Sequence, residues 1–300
     1  MNNKFIMLVG LTGSGKSYYA KTLKGYKVFS SDSYRAIIGE NENDQTVNNE
    51  VFKKLLEDIK YELLMGSDVV LDATNLSSKR RRHWCNELKD YEKECHVILT
   101  SFEQCLKNNS ERDRNLPCYV MKKMYKNFEM PYLEEGWSDI KLVYPFNEEN
   151  KYNLQDYLSQ VEEYNQDSKY HTKTLGEHSN SVKDYIIDNY NGKRLKELYI
   201  AGLLHDNGKI YTKTYVNRKG DTDTYAHYYY HENVGAYNSL FYDLQDIDKQ
   251  YVAWLINNHM KMMYWKNCNL DKIEKKYKKL WGEDRFNDLM TLYKADREAH

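Results

Sequence analysis

The chain has 300 residues, room for two domains at about 150 residues each, and 44 Lys and Arg set against 45 Asp and Glu leave a net charge of −1. That balance excludes a global electrostatic hold on nucleic acid, so any polyanion site must be local. Five cysteines without a C-x-x-C pair (Cys85, Cys95, Cys105, Cys118, Cys268) argue for reduced thiols rather than a disulfide framework or zinc site.

No apolar run approaches the ~18 residues of a membrane span, and the N-terminus runs directly into a strand with no room for a signal peptide. A soluble, cytoplasmic protein with no membrane partner is expected. The first half alternates β-rich runs with helical stretches. Strands are predicted over 4–9, 27–30, 68–72, 95–101 and 140–145, with helices over 16–24, 50–65, 78–90, 103–112 and 118–129. This rhythm predicts a parallel sheet with helices on both faces and ligands at the carboxyl ends of the strands. Residues 146–174 are polar and strand-poor. Beyond them the pattern is helical over 175–190, 194–204, 230–243, 248–260, 271–280 and 283–296, with an irregular excursion at 212–226. The shift from α/β to all-α places a domain boundary near 165–170.

The first strand ends in Gly10-Leu11-Thr12-Gly13-Ser14-Gly15-Lys16-Ser17, a complete phosphate-binding loop. The backbone of Gly13, Ser14 and Gly15 wraps phosphate oxygens where a helix begins, Lys16 reaches the β/γ-phosphates, and the Ser17 hydroxyl sits on Mg²⁺. ATP or another NTP is the expected cofactor. At the end of the second strand, Asp32 is placed to accept the proton of an attacking hydroxyl, and Arg35, one turn later, to hold an anionic part of the acceptor. The bland alternative makes Asp32 a helix cap and Arg35 a solvated charge. Asp72 ends a buried strand near the loop's metal, acting through water or by orienting neighbours, while Thr74 or Asn75 is a candidate cap for the next helix. The run Lys79-Arg80-Arg81-Arg82-His83 reads as a solvated face, with a local phosphate-tracking patch as the alternative. Arg112, favoured over Arg114, is positioned as a lid arginine over the transferred phosphoryl.

The loop, Ser31-Asp32-Ser33-Tyr34-Arg35, Leu71-Asp72-Ala73-Thr74-Asn75-Leu76, Asn109-Ser110-Glu111-Arg112 and Met124-Tyr125-Lys126-Asn127-Phe128-Glu129-Met130-Pro131 together resemble the 5′-OH polynucleotide kinase family, over roughly residues 1–145. The resemblance implies an α/β P-loop kinase in which Asp32 activates a 5′-hydroxyl, Arg35 holds the acceptor's first phosphate and Arg112 belongs to the lid over ATP. Asn108 stands where family members often carry an arginine.

In the second half, His205-Asp206 inside an apolar helix brings an imidazole and a carboxylate to one spot, followed by Gly208-Lys209. With His178, His231, His259 and Asp296 the pattern resembles the HD phosphohydrolase superfamily, over roughly residues 170–300. That resemblance implies His178, His205, Asp206 and Asp296 as a first metal set, His231 and His259 as ligands of a second metal or of phosphate, and Lys209 neutralising the phosphate or orienting Asp206. His-rich ligation suits Mn, Ni, Co or Fe better than Mg²⁺. His83, His96, His171, His227 and His300 read as ordinary residues.

The expected architecture is therefore a P-loop kinase domain over residues 1–165 and an all-α HD domain over 170–300. The pairing is similar to bifunctional end-healing enzymes. It implies phosphorylation of 5′-OH ends together with hydrolysis of 2′,3′-cyclic, 2′- or 3′-phosphate, on nucleic-acid ends with RNA favoured and DNA allowed, and with a separate ligase as a candidate partner. The alternatives are a nucleoside or small-molecule kinase fused to an HD nucleotidase, or a sensor of ATP and a signalling nucleotide.

Overall fold

The computed structural model describes residues 3–39, 46–112, 115–169, 172–265 and 269–299; Arg114, His171, Cys268 and His300 lie outside the described residues. The chain forms two compact units, one of Met1–Met124 with Pro131–Glu148, the other of Tyr125–Met130 with Glu149–His300.

In the first unit, strands β1 (Lys4–Val9), β2 (Lys27–Ser30), β3 (Val69–Asp72), β4 (Glu92–Ile98) and β5 (Asp139–Val143) form one sheet in the order β2-β3-β1-β4-β5. Every neighbouring pair is parallel. The central strands are apolar almost throughout because helices cover both of their faces, as parallel sheets require. Val69 to Leu71 and Phe5 to Val9 are fully or nearly fully buried, and Trp84 stacks on Phe5 with ring centroids 5.7 Å apart. The crossovers are α1 (Lys16–Thr22), α2 (Ser31–Ile38), α3 (Asn48–Leu64), α4 (Ser78–Glu87), α5 (Phe102–Ser110) and α6 (Cys118–Lys126). Since β1 sits between β3 and β4, its carboxyl end opens at the point where strand order reverses, and the phosphate-binding loop lies there.

The second unit holds α7 (Leu154–Val161), α8 (Leu175–Asn189), α9 (Leu195–Leu204), α10 (Lys209–Thr212), β6 (Thr214–Val216), β7 (Thr222–His227), α11 (His231–Ser239), α12 (Lys249–Asn258), α13 (Leu270–Trp281) and α14 (Glu283–Glu298). Helices α8 and α9 pack together, as do α11 and α12, and α14 crosses α8 and α9. The segment read as irregular, 212–226, instead carries an antiparallel ribbon of β6 and β7. Its turn closes with Gly220 at φ 94° and the Asn217 amide donating to the Asp221 carbonyl at 2.8 Å. Within the polar stretch 146–174, Asn153 caps α7 by accepting from the amides of Gln155 and Asp156, and Tyr157 and Val161 bury its inner face. No helix among the described residues is long and apolar enough to cross a membrane.

Candidate active sites

The turn between β1 and α1 is shaped by glycine. Gly13 has φ 81°, and a Cβ there would lie 2.5 Å from the Cys105 carbonyl oxygen, so no side chain fits without moving α5. The loop wraps a hollow into which Lys16 folds, its Nζ donating to the Leu11 carbonyl at 2.7 Å. Burial pushes the Lys16 pKa down, against the pull of Asp72. Ser17 Oγ donates to Asp72 Oδ2 at 2.6 Å, so hydroxyl and carboxylate meet at the first turn of α1. Asn108 ties α5 to the loop by donating from Nδ2 to the Gly13 carbonyl at 2.8 Å.

Gly13, Gly15, Lys16, Ser17, Asp32, Arg35, Asp72 and Arg112 all line one cleft of about 1160 Å³. Ser14 lies beneath it, fully buried. Asp32 is not the cap of α2. Ser30 is, accepting from the Asp32 amide, which leaves the Asp32 carboxylate to pair with the Arg35 guanidinium. Arg35 is only 8% exposed, and it also donates to Asn48 Oδ1 at 3.0 Å and Ser31 Oγ at 3.3 Å. It is therefore no solvated charge. Arg112, exposed at the end of α5, acts electrostatically on Lys16. Asn109 fixes the chain returning from that end, donating to the Leu116 carbonyl at 2.9 Å and accepting from its amide at 3.0 Å.

Two readings near α4 need correction. Neither Thr74 nor Asn75 caps this helix, because Ser77 occupies the cap position. Asn75 instead sits buried at φ 45° and donates to the Leu8 carbonyl at 2.8 Å. The basic run is not a uniformly solvated face. Arg81 is fully buried and makes a two-point bond with Glu135 at 2.8 Å for each contact, while its third nitrogen donates to the carbonyls of Asn75 and Leu76. A buried guanidinium persists only with such complete pairing.

In the second unit, six side chains from five helical elements converge. A capping box of Thr174 and Glu177 starts α8 and sets His178 one turn in. His205 ends α9 with Asp206 next to it, His231 opens α11, His259 follows α12, and Asp296 comes from α14. The approach of α10 to α11 requires glycine, since a Cβ on Gly208 would lie 2.0 Å from the His231 carbonyl oxygen. His178, His205 and Asp296 form one set and Asp206, His231 and His259 another, each with ligand atoms within 4.8 Å of one another. Asp206 faces both. Its Oδ1 lies 3.0 Å from His231 Nε2, and its Oδ2 lies 3.3 Å from His205 Nε2 and 2.7 Å from Lys209 Nζ.

The tautomers are settled by the main chain. Nδ1 of His205, His231 and His259 lies 2.9, 2.8 and 2.7 Å from the carbonyls of Gly202, Tyr228 and Ile256. A carbonyl only accepts, so each Nδ1 carries a hydrogen, and each Nε2 is the nitrogen that faces inward. Burial, aided by His231 and His205, pushes His259 down to about 3 and keeps it neutral. Burial opposes charge on Asp206, but Lys209 and His205 outweigh it and hold the carboxyl well below its usual range. Asp296 is likewise lowered, chiefly through its bond to His178. Imidazole nitrogens and carboxylate oxygens converging at this spacing are a donor set that fits divalent transition metal.

The AAA domain family matches residues 5–131, and the HD domain family matches residues 170–299. The chain joins a P-loop kinase domain to an HD domain. It is 28% identical over 145 residues to a protein of Autographa californica nuclear polyhedrosis virus named as a bifunctional polynucleotide kinase/RNA ligase, over 42% of this chain and 21% of that one. An L-seryl-tRNA(Sec) kinase of Methanococcus maripaludis is 26% identical over 174 residues, 54% of this chain and 66% of that protein. The chain thus spans less than two thirds of either relative. A solved Pnkp1/Rnl/Hen1 RNA repair complex aligns with a TM-score of 0.38 and 20% identity, over 42% of this chain and 43% of that one.

Sequence reasoning passed over several residues of these two domains. In the kinase domain, Phe52 and Asn48 line the cleft from α3, and nothing in their local pattern marks them. In the HD domain, Gln166 accepts from Lys209 Nζ at 2.7 Å. It lies in a polar segment whose composition gives no sign that this one amide is buried.

Proposed function

We propose that the chain is a bifunctional nucleic-acid end-healing enzyme. Its kinase domain, within residues 1–165, would transfer phosphate from ATP to a 5′-hydroxyl, and its HD domain, within 170–300, would hydrolyse phosphate at 2′,3′-cyclic, 2′- or 3′-phosphate ends. The observation that carries the reading is that Asp32 and Arg35 share a cleft with the phosphate-binding loop. A base and an anion-holding guanidinium stand across from the donor site.

In the transfer step, Lys16 and the amides of Gly13 to Lys16 hold the donor phosphates, and Arg112 closes over them. Ser17 and Asp72 would hold Mg²⁺, which neutralises charge on the phosphoryl group. Arg35 holds the acceptor's first phosphate and, through its ion pair, orients Asp32, which accepts the hydroxyl proton as the new P–O bond forms and the bond to ADP breaks. In the HD domain, His178, His205, Asp206, His231, His259 and Asp296 would hold divalent metal, which acidifies water and stabilises charge on phosphorus. Lys209 neutralises and orients Asp206 between the two sets. The substrates are nucleic-acid ends, RNA favoured, in the cytoplasm, with a separate ligase to join the healed strands.

One assay tests this. The protein is given radiolabelled ATP and RNA and DNA oligomers of defined termini, with free nucleosides and sugars as competing acceptors. Label should enter 5′-OH oligomers, and phosphate should be released or cyclic ends opened at 3′ termini. Equal or faster transfer to nucleosides or sugars, or no change at any 3′ end, would overturn the respective half.

A further inference from the structure

We propose that Arg80 is a second phosphate-binding cation of the kinase cleft, so that the acceptor strand is held through two consecutive backbone phosphates. The inference rests on the polynucleotide kinase reading of that cleft and deepens it, since it distinguishes a strand from a nucleotide. Arg80 and Arg81 are neighbours on α4 with opposite fates. Arg81 turns inward to Glu135, and Arg80 turns to the cleft that holds Asp32 and Arg35.

There the Arg80 guanidinium carbon sits 4.2 Å from the centroid of the Phe52 ring. Stacking on a ring fixes the guanidinium plane but occupies none of its five N–H donors. No carboxylate among the described residues forms an ion pair with Arg80, whereas Arg35 already donates to Asp32, Asn48 and Ser31. Burial and the nearby Arg35 charge both lower the Arg80 pKa. Two guanidinium groups lining one cleft repel, and anions bound there relieve that repulsion. An oriented guanidinium with open donors matches a phosphodiester oxygen pair. A phosphate-free nucleoside or sugar would leave it unmatched, and a nucleoside 3′-monophosphate would satisfy Arg35 alone.

Steady-state kinetics of the full chain test the proposal, with ATP and three acceptors: a nucleoside 3′-monophosphate, a dinucleotide with a 3′-phosphate, and a 5′-OH decamer. Arg80→Ala should raise KM for the dinucleotide and decamer about tenfold relative to the monophosphate, at constant KM for ATP. The slope of log KM for the decamer against log salt should fall by about 0.7, as for one lost phosphate contact on a single strand. Arg80→Lys should recover the salt slope but only part of the KM, because an ammonium does not reproduce the planar fork. A uniform rise across all three acceptors, a parallel rise in KM for ATP, or a decamer KM within twofold of the native value would each overturn the proposal. Should Arg80→Ala fold poorly, Phe52→Leu frees the guanidinium and should give the same acceptor-length dependence. If the native chain labels no oligomer at all, the polynucleotide reading has failed and this inference falls with it; if it does and Arg80→Ala matches it, only the inference fails.

Discussion

Nε2 of His231 and Nε2 of His259 face each other at 3.3 Å, although each ring has committed its Nδ1 hydrogen to a main-chain carbonyl. The two inward nitrogens and Asp206 Oδ1, 3.0 Å from His231 Nε2, form a mixed nitrogen and oxygen set that suits a divalent cation. Chelation should therefore abolish hydrolysis. Mn²⁺ or Ni²⁺ should restore it, and Co²⁺ should give a visible ligand-field spectrum that His259→Ala loses. Loss of outer partners of a metal site costs about 10–100-fold, so removing this direct donor should cost at least about 100-fold. Full rescue by Mg²⁺ alone would count against nitrogen ligation.

The two chemistries should separate by mutation. Lys16 and Asp32 lie in a cleft built wholly from the first unit, while Asp206 sits among the histidines of the second. Asp32→Ala should lower phosphate transfer by about 10²–10⁴-fold, the usual range for a lost acid–base group, Lys16→Ala by at least about 10²-fold through lost charge stabilisation, and both should leave hydrolysis intact. Asp206→Asn should do the reverse. Loss of both activities from any one substitution would contradict two independent sites.

Much of this was legible in the sequence where one local rule acts alone. All five parallel strands were predicted, β1 and β3 because a buried parallel strand is a continuous apolar run between turn signals, and the candidate metal-site histidines stood out through their resemblance to the HD pattern. The departures share a cause. Arg81 looked like its exposed neighbours because the partner that justifies its burial, Glu135, is 54 residues away. Ser30 rather than Asp32 caps α2, which removes the bland alternative for Asp32; both residue types are good caps, so type alone does not choose between them. The β6–β7 ribbon was hidden by its brevity: three residues of β6 are too few for alternation to register.

Arg81 also yields a stability prediction. With both partners 0% exposed and Trp137 Nε1 donating to Glu135 Oε2 at 2.9 Å, the pair closes the space between α4 and the turn before β5. Removing one member strands the other charge in the interior, a loss of about 3–5 kcal/mol. Arg81→Ala should show this in the urea midpoint at unchanged m-value, while Arg80→Ala on the adjacent residue should shift it little. A change under about 1 kcal/mol for Arg81→Ala would mean that water reaches Glu135.

Acid should loosen the kinase sheet through Glu94 on β4. Burial opposes its charge, but bonds from Lys141 at 2.7 Å, Lys4 at 2.6 Å and His96 at 2.9 Å prevail. Together they lower its pKa from 4.5 to about 2. A carboxyl whose folded pKa lies below its unfolded value binds fewer protons when folded, so its contribution is complete above the unfolded value and is lost as pH falls through the folded one. His96, lowered chiefly by burial, acts in the same sense at higher pH, since the unfolded ring takes its proton first. Thermal midpoints should thus fall on acidification, most steeply between pH 4.5 and 2. In Glu94→Gln, which cannot titrate, that limb should be shallower and the midpoint at neutral pH lower. Parallel acid limbs for the two proteins would show that Glu94 is not the group responsible.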